Sequence, residues 1–435
     1  MVKLKFLGSC REIGCSGVLI ESKSGIKCLL DYGIGFNNEN RLPLEFDFTN
    51  LKTIALTHCH IDHSGALPYI YKKAKVPFLT NPISLAITEI LIKDMIRISN
   101  FPYPFGFREL DLLRQNALFL KNGNRHKIDD NFFITFFNAG HIPGSVSILL
   151  EIDGKKILYS GDINNQNTNL VNPANPMELP QIDALIIEST YALKEHPSRN
   201  MLEEKFMEKV ISITENGGKV LIPAFGVARS QEALLILEKY GYSGNIYVDG
   251  LARKISKIYL EYPEYIKDFK RLRSIINRVK FISKKKDRLH VKKSNGVIIS
   301  PSGMLKGGAA LDYIDTILSD PISALYLVGY QIEGSPGRGL LDNGFFEFTE
   351  SKKKKNFLIN SQIEAKCDYN YFDFSSHADR THLYEYIKNI IFRNKLENNI
   401  FCVHGDNKST TTLASELTKN NYNAVAPEAG EIYQI

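Results

Sequence analysis

The stretch Leu56-Thr57-His58-Cys59-His60-Ile61-Asp62-His63-Ser64-Gly65 sets three imidazoles and one carboxylate within six residues. Imidazole suits zinc and related ions, and a carboxylate adds a hard oxygen donor. The run before it, Thr53-Ile54-Ala55-Leu56-Thr57, is apolar and partly β-branched, which predicts a buried strand. From Gly65 through Ala66, Leu67 and Tyr69 to Ile70 the pattern predicts the start of a helix. Strand ends that feed loops are where α/β folds hold their chemistry. A polar loop that is merely rich in His explains neither the spacing nor the setting.

Two ions in a hydrolytic site need about four ligands each, with some positions left for water and substrate. The rest of the chain supplies candidates in one recurring form, a short apolar run that ends at His or Asp beside Gly. His141 follows Phe132 to Phe137 in Asn-Ala-Gly-His-Ile-Pro-Gly-Ser, and Asp162 follows Ile157-Leu158-Tyr159 in Tyr-Ser-Gly-Asp. His404 follows Ile400-Phe401 in Phe-Cys-Val-His-Gly-Asp, and Asp31 stands in Leu-Leu-Asp-Tyr-Gly. One such pattern is common, but its repetition is not. Six of the ten His fall in segments of this kind once His377 is included. His126, His196, His290 and His382 have no such context and read as surface or satisfied residues.

The run His58-Cys-His60-Ile-Asp62-His63, followed by His141 and Asp162, resembles the metallo-β-lactamase fold. Glu188 in Leu-Ile-Ile-Glu-Ser-Thr-Tyr, His377 in Phe-Ser-Ser-His-Ala-Asp, and His404 resemble the further motifs of its β-CASP subgroup of nucleic-acid hydrolases. Pro223-Ala-Phe-Gly-Val-Ala-Arg-Ser-Gln-Glu232, Ser300-Pro-Ser-Gly-Met304 and Gly329-Tyr-Gln331 through Gly337-Arg338 match the same style. The resemblance covers Gly8 to His404 and is nearest in kind to archaeal and bacterial homologues of the nuclease subunit of the cleavage and polyadenylation machinery. It implies an α/β chain, an αββα sandwich with an inserted α/β domain built on a mostly parallel sheet.

The resemblance also implies two Zn2+ ions. His58, His60 and His141 would hold one, Asp62, His63 and His404 the other, and Asp162 would bridge both. Asp31 would orient a ligand His through its other ring nitrogen. His377 would be the general acid toward the leaving oxygen, with Glu188 fixing its tautomer. Both residues also fit plain helix-capping chemistry, which Ser and Asp around His377 would favour. Cys59 is not a ligand in the family's pattern and is expected to point away. A His at the third motif favours RNA over DNA by resemblance. The implied reaction is hydrolysis of phosphodiester bonds in single-stranded RNA, as endonuclease or 5′-to-3′ exonuclease.

Size and composition agree with a two-domain globular chain: 435 residues, 43% hydrophobic and 23% charged. No run of about eighteen apolar residues appears, which predicts no membrane span. The start, Met-Val-Lys-Leu-Lys-Phe-Leu-Gly, is strand-like and lacks the features of a secretory signal. Six Cys without C-x-x-C spacing then predict a reduced, cytoplasmic setting. A homodimer or a place in an RNA-processing complex is compatible with the sequence.

Strand-like and helix-like segments alternate along the first 180 residues or so, with a long amphipathic helix expected over Ile83 to Ile98. Near Glu188 the texture changes. Leu202, Phe206, Val210 and Ile213 mark a helical stripe. Lys219 to Pro223, Asn245 to Val248, Gly296 to Ser300 and Ser323 to Gly329 read as strands, and Arg229 to Tyr240 as a helix. Such alternation predicts a second, mostly parallel α/β domain. The expected division is 1–193 for the first part of the outer domain, 194–355 for the insert, and 356–435 for the return. The polar run Ser351 to Lys355 marks the far edge of the insert.

Charge is uneven. Between Leu251 and Lys293 stand fifteen Lys or Arg against four Asp or Glu, a local balance of +11 in a chain whose total is +6. Lys284, Lys285, Lys286 and Arg288 are its densest cluster. The run reads either as a solvated helical face or as a track for a phosphate backbone. Gly334-Ser-Pro-Gly-Arg-Gly339, with Arg338, reads either as an amide concavity for phosphate or as a plain turn. Three other functions share parts of this pattern: a small-ester or thioester hydrolase, a non-catalytic RNA-binding partner, and a DNA nuclease. The first has no need of a large insert or His377. The second would be expected to have lost ligands, whereas all seven positions are filled.

Overall fold

The structure is a computed structural model that describes residues 1–35, 41–99, 101–351, 358–394 and 398–435. It divides into two compact units: Met1–Asn167 with Val171–Glu195 and Ser376–Ile435, and Thr168–Leu170 with His196–Ser375.

Among the described residues the first unit holds two seven-stranded sheets. In the first sheet Lys27–Leu30, Leu51–Ala55, Phe78–Thr80 and Ala117–Phe119 run parallel, beside the antiparallel strands Gly17–Glu21, Lys3–Gly8 and Ile432–Gln434. In the second, Lys155–Tyr159, Ala184–Glu188, Asn399–Val403 and Asn423–Val425 run parallel. Val146–Ile152 is antiparallel to Lys155–Tyr159 and to Phe132–Asn138, so the last two point the same way. The turn joining Val146–Ile152 to Lys155–Tyr159 is Asp153-Gly154, both at positive φ (50° and 83°). Those torsions match the strand twist of a tight hairpin.

Layering follows from the strand pattern. Val2, Leu4, Phe6, Val18, Ile20 and Cys28 of the first sheet pack against Phe132, Ile134, Ile148, Ile157 and Ile186 of the second. The outer face of the first sheet, with Leu29 and Ile54, is covered by Leu85, Ile92 and Met95 of the helix Pro82–Ile98. The outer face of the second, with Leu158, Leu185 and Ile187, is covered by Leu383 and Ile387 of Arg380–Asn389 and by Leu413 and Leu417 of Asn407–Lys419. This is the αββα sandwich.

The second unit is built on a six-stranded parallel sheet, in the order Lys280–Phe281, Ile246–Val248, Gly296–Ser300, Lys219–Pro223, Ala324–Leu327, Asp368–Tyr371. An antiparallel hairpin, Phe345–Ser351 with Leu358–Glu364, adjoins it. The expected return of the chain at 356 is corrected to Ser376, because Asp368–Tyr371 pairs with Ala324–Leu327 and stays in the second unit. Lys352 to Lys355 of the expected boundary run lie outside the described residues.

Local differences have local causes. Asp62 and His63 sit on a single helical turn, Ile61–Ser64, and the helix start expected from Gly65 is a second short turn at Leu67–Ile70. The buried stripe of the helix Arg199–Glu215 is Glu203, Phe206, Met207, Val210 and Thr214 rather than one including Leu202 and Ile213. Glu203 turns inward because Arg199 (2.8 Å), Lys239 (2.7 Å) and Asn169 (2.8 Å) all bond its carboxylate. The glycine-rich segment from Gly334 is an ordinary helix start, with Ser335 Oγ accepting from Arg338 N ahead of Pro336–Asn343. Among the described residues no helix is long and apolar enough to cross a membrane.

Candidate metal centre

The centre forms where parallel strands end. Asp31 follows Lys27–Leu30, and His58 lies three residues past Leu51–Ala55. His141, Asp162 and His404 follow Phe132–Asn138, Lys155–Tyr159 and Asn399–Val403, and Glu188 is the last residue of Ala184–Glu188. In register Glu188 lies opposite Val403, which sets His404 one residue beyond it. Two glycines allow the approach. A Cβ on Gly161, already at φ 57°, would meet Thr57 Cβ at 2.7 Å, and one on Gly33 would fall 1.6 Å from the Asp62 carbonyl oxygen. Asp31 (φ 55°) and His404 (φ 51°) themselves hold the left-handed region, an uncommon conformation that clusters at functional sites.

The side chains gather into two main groups, His58, His60, His141 and Asp162 in one and Asp62, His63 and His404 in the other, while Asp162 also groups with Glu188 and His404. In the first, His58 Nε2 and His141 Nε2 lie 3.0 and 3.2 Å from His60 Nδ1. They stand 3.5 and 3.7 Å from Asp162 Oδ2. In the second, His404 Nε2 is 3.2 Å from His63 Nε2 and 3.3 Å from Asp62 Oδ2. His63 Nε2 is 3.3 Å from the other Asp162 oxygen, Oδ1. The ligand-type atoms within each group lie within 4.8 Å of one another, and Cys59 belongs to neither. Cys59 is fully buried, which pushes its thiol pKa up.

The hydrogen bonds behind these rings fix what faces the centre. His141 Nδ1 lies 2.8 Å from the Ser376 carbonyl oxygen, which can only accept, so Nδ1 carries the hydrogen and Nε2 presents a lone pair. His63 Nδ1 donates to Asp31 Oδ2 at 2.7 Å, which likewise bares Nε2. Asp31 is itself held by Thr57 N and Thr57 Oγ1 (both 2.7 Å) and by Tyr159 OH (3.0 Å). Asp162 Oδ1 is buried and has no hydrogen-bond partner among the described residues. Bare acceptors converging out of water repel one another unless a positive charge sits among them. The donor set therefore fits metal ions, with imidazole and carboxylate chemistry suited to zinc.

The titration directions agree. Burial pushes His58 well below its ordinary range and His60 down to about 4, the neutral forms that ligate. Burial acts against ionisation of Asp162, but His404, His63 and His58 outweigh it and hold the carboxyl well below its usual value. Burial would also lower His63, yet Asp162 and Asp31 raise it well above the imidazole range.

Glu188, which also groups with Asp162 and His404, pairs with His377 beside the first group. His377 Nδ1 is 3.0 and 3.1 Å from the two Glu188 oxygens, and its Nε2 is 4.0 Å from Asp162 Oδ2. Glu188 is buried, and its Oε1 also accepts from Ile163 N at 2.7 Å. His377 retains some exposure, 18% of its side chain. The structure thus brings together Asp31, His58, His60, Asp62, His63, His141, Asp162, Glu188, His377 and His404, all within the first unit. Sequence reasoning missed Thr57, Tyr159 and Ser376, which hold the ligands from behind. Only Thr57, beside His58, carried any local signal.

The basic candidates divide. Lys284, Lys285 and Lys286 are exposed and form no ion pair among the described residues. Arg288 instead binds buried Asp249 through Nε (2.7 Å) and Nη2 (3.1 Å), and Asp312 through Nη1 (2.5 Å). Arg338 pairs with Asp342 at 2.7 Å. Both guanidinium groups are thus paired with acids of their own unit, Arg288 half-buried and Arg338 at the surface.

Comparison with known proteins fits this architecture. Residues 14–223 match the metallo-beta-lactamase superfamily, 230–340 the Beta-Casp domain, and 362–427 the Zn-dependent metallo-hydrolase RNA specificity domain. The chain is 34% identical over 446 residues to the Probable RNase MJ4 of Methanocaldococcus jannaschii, covering 100% of both chains. It is 32% identical to the RNase aCSPSF2 of Saccharolobus solfataricus, covering 98% of this chain and 84% of that one. It is 36% identical to an RNase J-like protein of M. jannaschii, covering 96% of each. A crystal structure of an Enterococcus faecalis protein of unknown function shares the fold, with a TM-score of 0.63, 14% identity and 99% of each chain covered. With its sandwich, its inserted parallel-sheet unit and its two ligand groups meeting at Asp162, the chain belongs to the metallo-β-lactamase/β-CASP family of metal-dependent hydrolases, nucleases related to RNases of this type.

Proposed function

We propose that the protein is a zinc-dependent ribonuclease that hydrolyses phosphodiester bonds of single-stranded RNA. The observation that carries the reading is the His377–Glu188 pair beside a centre where Asp162 lies 3.5 Å from His58 of one ligand group and 3.3 Å from His63 of the other. His58, His60 and His141 would hold one zinc, Asp62, His63 and His404 the other, with Asp162 on both. When bound, the two ions would neutralise charge on the phosphoryl oxygens and acidify the attacking water. The names of three relatives matched over 84–100% of their own length, Probable RNase MJ4, RNase aCSPSF2 and RNase J-like protein, support RNA as the substrate class.

The chain's own groups do the rest. Asp31, with its four donors, holds His63 with Nε2 toward the centre. The Ser376 carbonyl does the same for His141. Glu188 accepts from His377 Nδ1, which leaves Nε2 as the atom that delivers a proton to the departing alkoxide. Removing that proton donor would leave an alkoxide to depart unprotonated, a loss of roughly 10²–10⁴-fold in rate. Lys284, Lys285 and Lys286 would bind phosphates of the RNA backbone. Six free, buried Cys support a reduced cytoplasmic setting.

The experiment is competition. A labelled single-stranded RNA oligonucleotide is cleaved in the presence of unlabelled RNA, DNA or a small ester. Inhibition by RNA alone supports the reading. Equal inhibition by DNA, or hydrolysis of the ester with intact RNA, contradicts it. The product ladder of a 5′-end-labelled strand separates endonuclease from exonuclease action.

A further inference from the structure

We infer that Thr190 is the positioning residue that fixes the ring of His404 for metal binding, a role that rests on His404 being a ligand as proposed above. Three other imidazoles of the centre each have a partner on the nitrogen facing away from it. His63 Nδ1 has Asp31 (2.7 Å), His141 Nδ1 has the Ser376 carbonyl (2.8 Å), and His58 Nδ1 has Thr57 Oγ1 (3.2 Å). For His404 that partner is Thr190 Oγ1, 3.1 Å from Nδ1. The same hydroxyl donates to the carbonyl oxygen of His404, also at 3.1 Å. A carbonyl only accepts, so the hydroxyl hydrogen points there and the Oγ1 lone pairs are left to receive Nδ1–H.

That geometry fixes the tautomer. With hydrogen on Nδ1, Nε2 is bare and faces Asp62 Oδ2 and His63 Nε2. Asp162 Oδ1 also lies 3.3 Å from His404 Nδ1. If Asp162 alone received that hydrogen, the oxygen that meets the second group would be occupied, and Thr190 relieves it. One hydroxyl thus grips both ring and peptide of a residue whose backbone is at φ 51°. The His404 peptide is further held by its N–H on the Ser9 carbonyl (2.7 Å) and by Ser189 N on its own carbonyl (3.1 Å). Such supports are needed where a non-glycine residue stays in the left-handed region. Thr190 stands two residues after Glu188, so the strand Ala184–Glu188 that delivers the acid pair also delivers this support.

The test uses the full chain as wild type, Thr190→Val, Thr190→Ser and His404→Ala. Each is stripped of metal and titrated with zinc against a chromophoric chelator. Thr190→Val keeps the shape and loses the hydroxyl. It should bind its weaker zinc roughly 10–100-fold less tightly, the usual effect of removing a group that orients a ligand. Thr190→Ser should return to wild-type affinity, and His404→Ala should lose the same ion. In the metal-free protein, the ¹⁵N shifts of the His404 ring should report hydrogen on Nδ1 in wild type and Thr190→Ser, and a mixture in Thr190→Val. Wild-type zinc affinity in Thr190→Val beside a weakened His404→Ala overturns the role of Thr190 while leaving His404 a ligand. Unchanged zinc binding in His404→Ala overturns both. Should Thr190→Val fail to fold, the wild-type ring shifts decide: hydrogen on Nε2 with bare Nδ1 contradicts the proposal.

Discussion

His377 Nδ1 lies 3.0 Å from Glu188 Oε2, and the other oxygen of that carboxylate takes the N–H of Ile163, the residue after Asp162. The acid pair is therefore tied to the backbone beside Asp162, which lies close to both ligand groups. A change in Glu188 should alter proton delivery before it alters metal content. Glu188→Gln keeps the shape and removes the charge that holds the tautomer of His377. Zinc per chain should stay at the wild-type level while RNA cleavage falls by roughly 10²-fold or more. Metal analysis beside single-turnover cleavage checks both halves.

Asp31 accepts from Thr57 twice, from Tyr159 and from His63, and is fully buried. Asp31→Ala leaves those donors without an acceptor. The metal-free protein should lose about 3–5 kcal/mol of stability, a fall in melting temperature on the order of 10 °C. Zinc affinity should also drop, since His63 loses the group that sets its tautomer. Thermal unfolding in chelator, followed by zinc titration, separates the two effects.

Lys284, Lys285 and Lys286 are exposed, whereas Arg288 is held by Asp249 and Asp312. Charge reversal at the three lysines should lower RNA affinity and reduce the slope of log K against log salt by roughly 2–3, with the melting temperature unchanged. Arg288→Ala should do the opposite. It strips buried Asp249 of its cation, for a loss of about 2–3 kcal/mol, and leaves the salt slope where it was. Binding isotherms at four salt concentrations and melting curves test the pair.

Glu203 is almost fully buried in the second unit, bonded by Arg199, Lys239 and Asn169. Burial acts to raise its pKa, but Lys239 and Arg199 outweigh it and hold the carboxyl below its usual value. A carboxyl depressed in the folded state contributes stability that is full above its unfolded value and lost as pH falls through the folded one. The second unit should therefore lose stability on the acid side of the ordinary glutamate range. Glu203→Gln should melt lower at pH 7 and show a flatter acid limb. Melting curves between pH 3 and pH 7 measure it, and an unchanged acid limb would argue against the assignment.

Much of this organisation was legible in the sequence because its signals are local. His58 to His63 lie within six residues, and His141, Asp162 and His404 each follow a short apolar strand. The strands Lys219–Pro223 and Gly296–Ser300 and the helix Pro82–Ile98 follow from periodicity. What was not legible depends on which elements become neighbours. Tyr159 reaches Asp31 from the facing sheet, and the Ser376 carbonyl reaches His141 across 235 positions of sequence. The unit boundary was misplaced because Asp368–Tyr371 has its partner in Ala324–Leu327, a pairing that no local pattern announces. Arg288 looked like part of a basic run because Asp249 lies 39 positions away in sequence.

The measurement that tests the central claim most directly is cleavage of a 5′-end-labelled single-stranded RNA by zinc-loaded wild type and His377→Ala, with zinc per chain determined on both. The account predicts that wild type cuts, and that His377→Ala retains its zinc while cutting at least roughly 10²-fold more slowly. Intact RNA after incubation with the zinc-loaded wild type, or wild-type cleavage by His377→Ala, would contradict it.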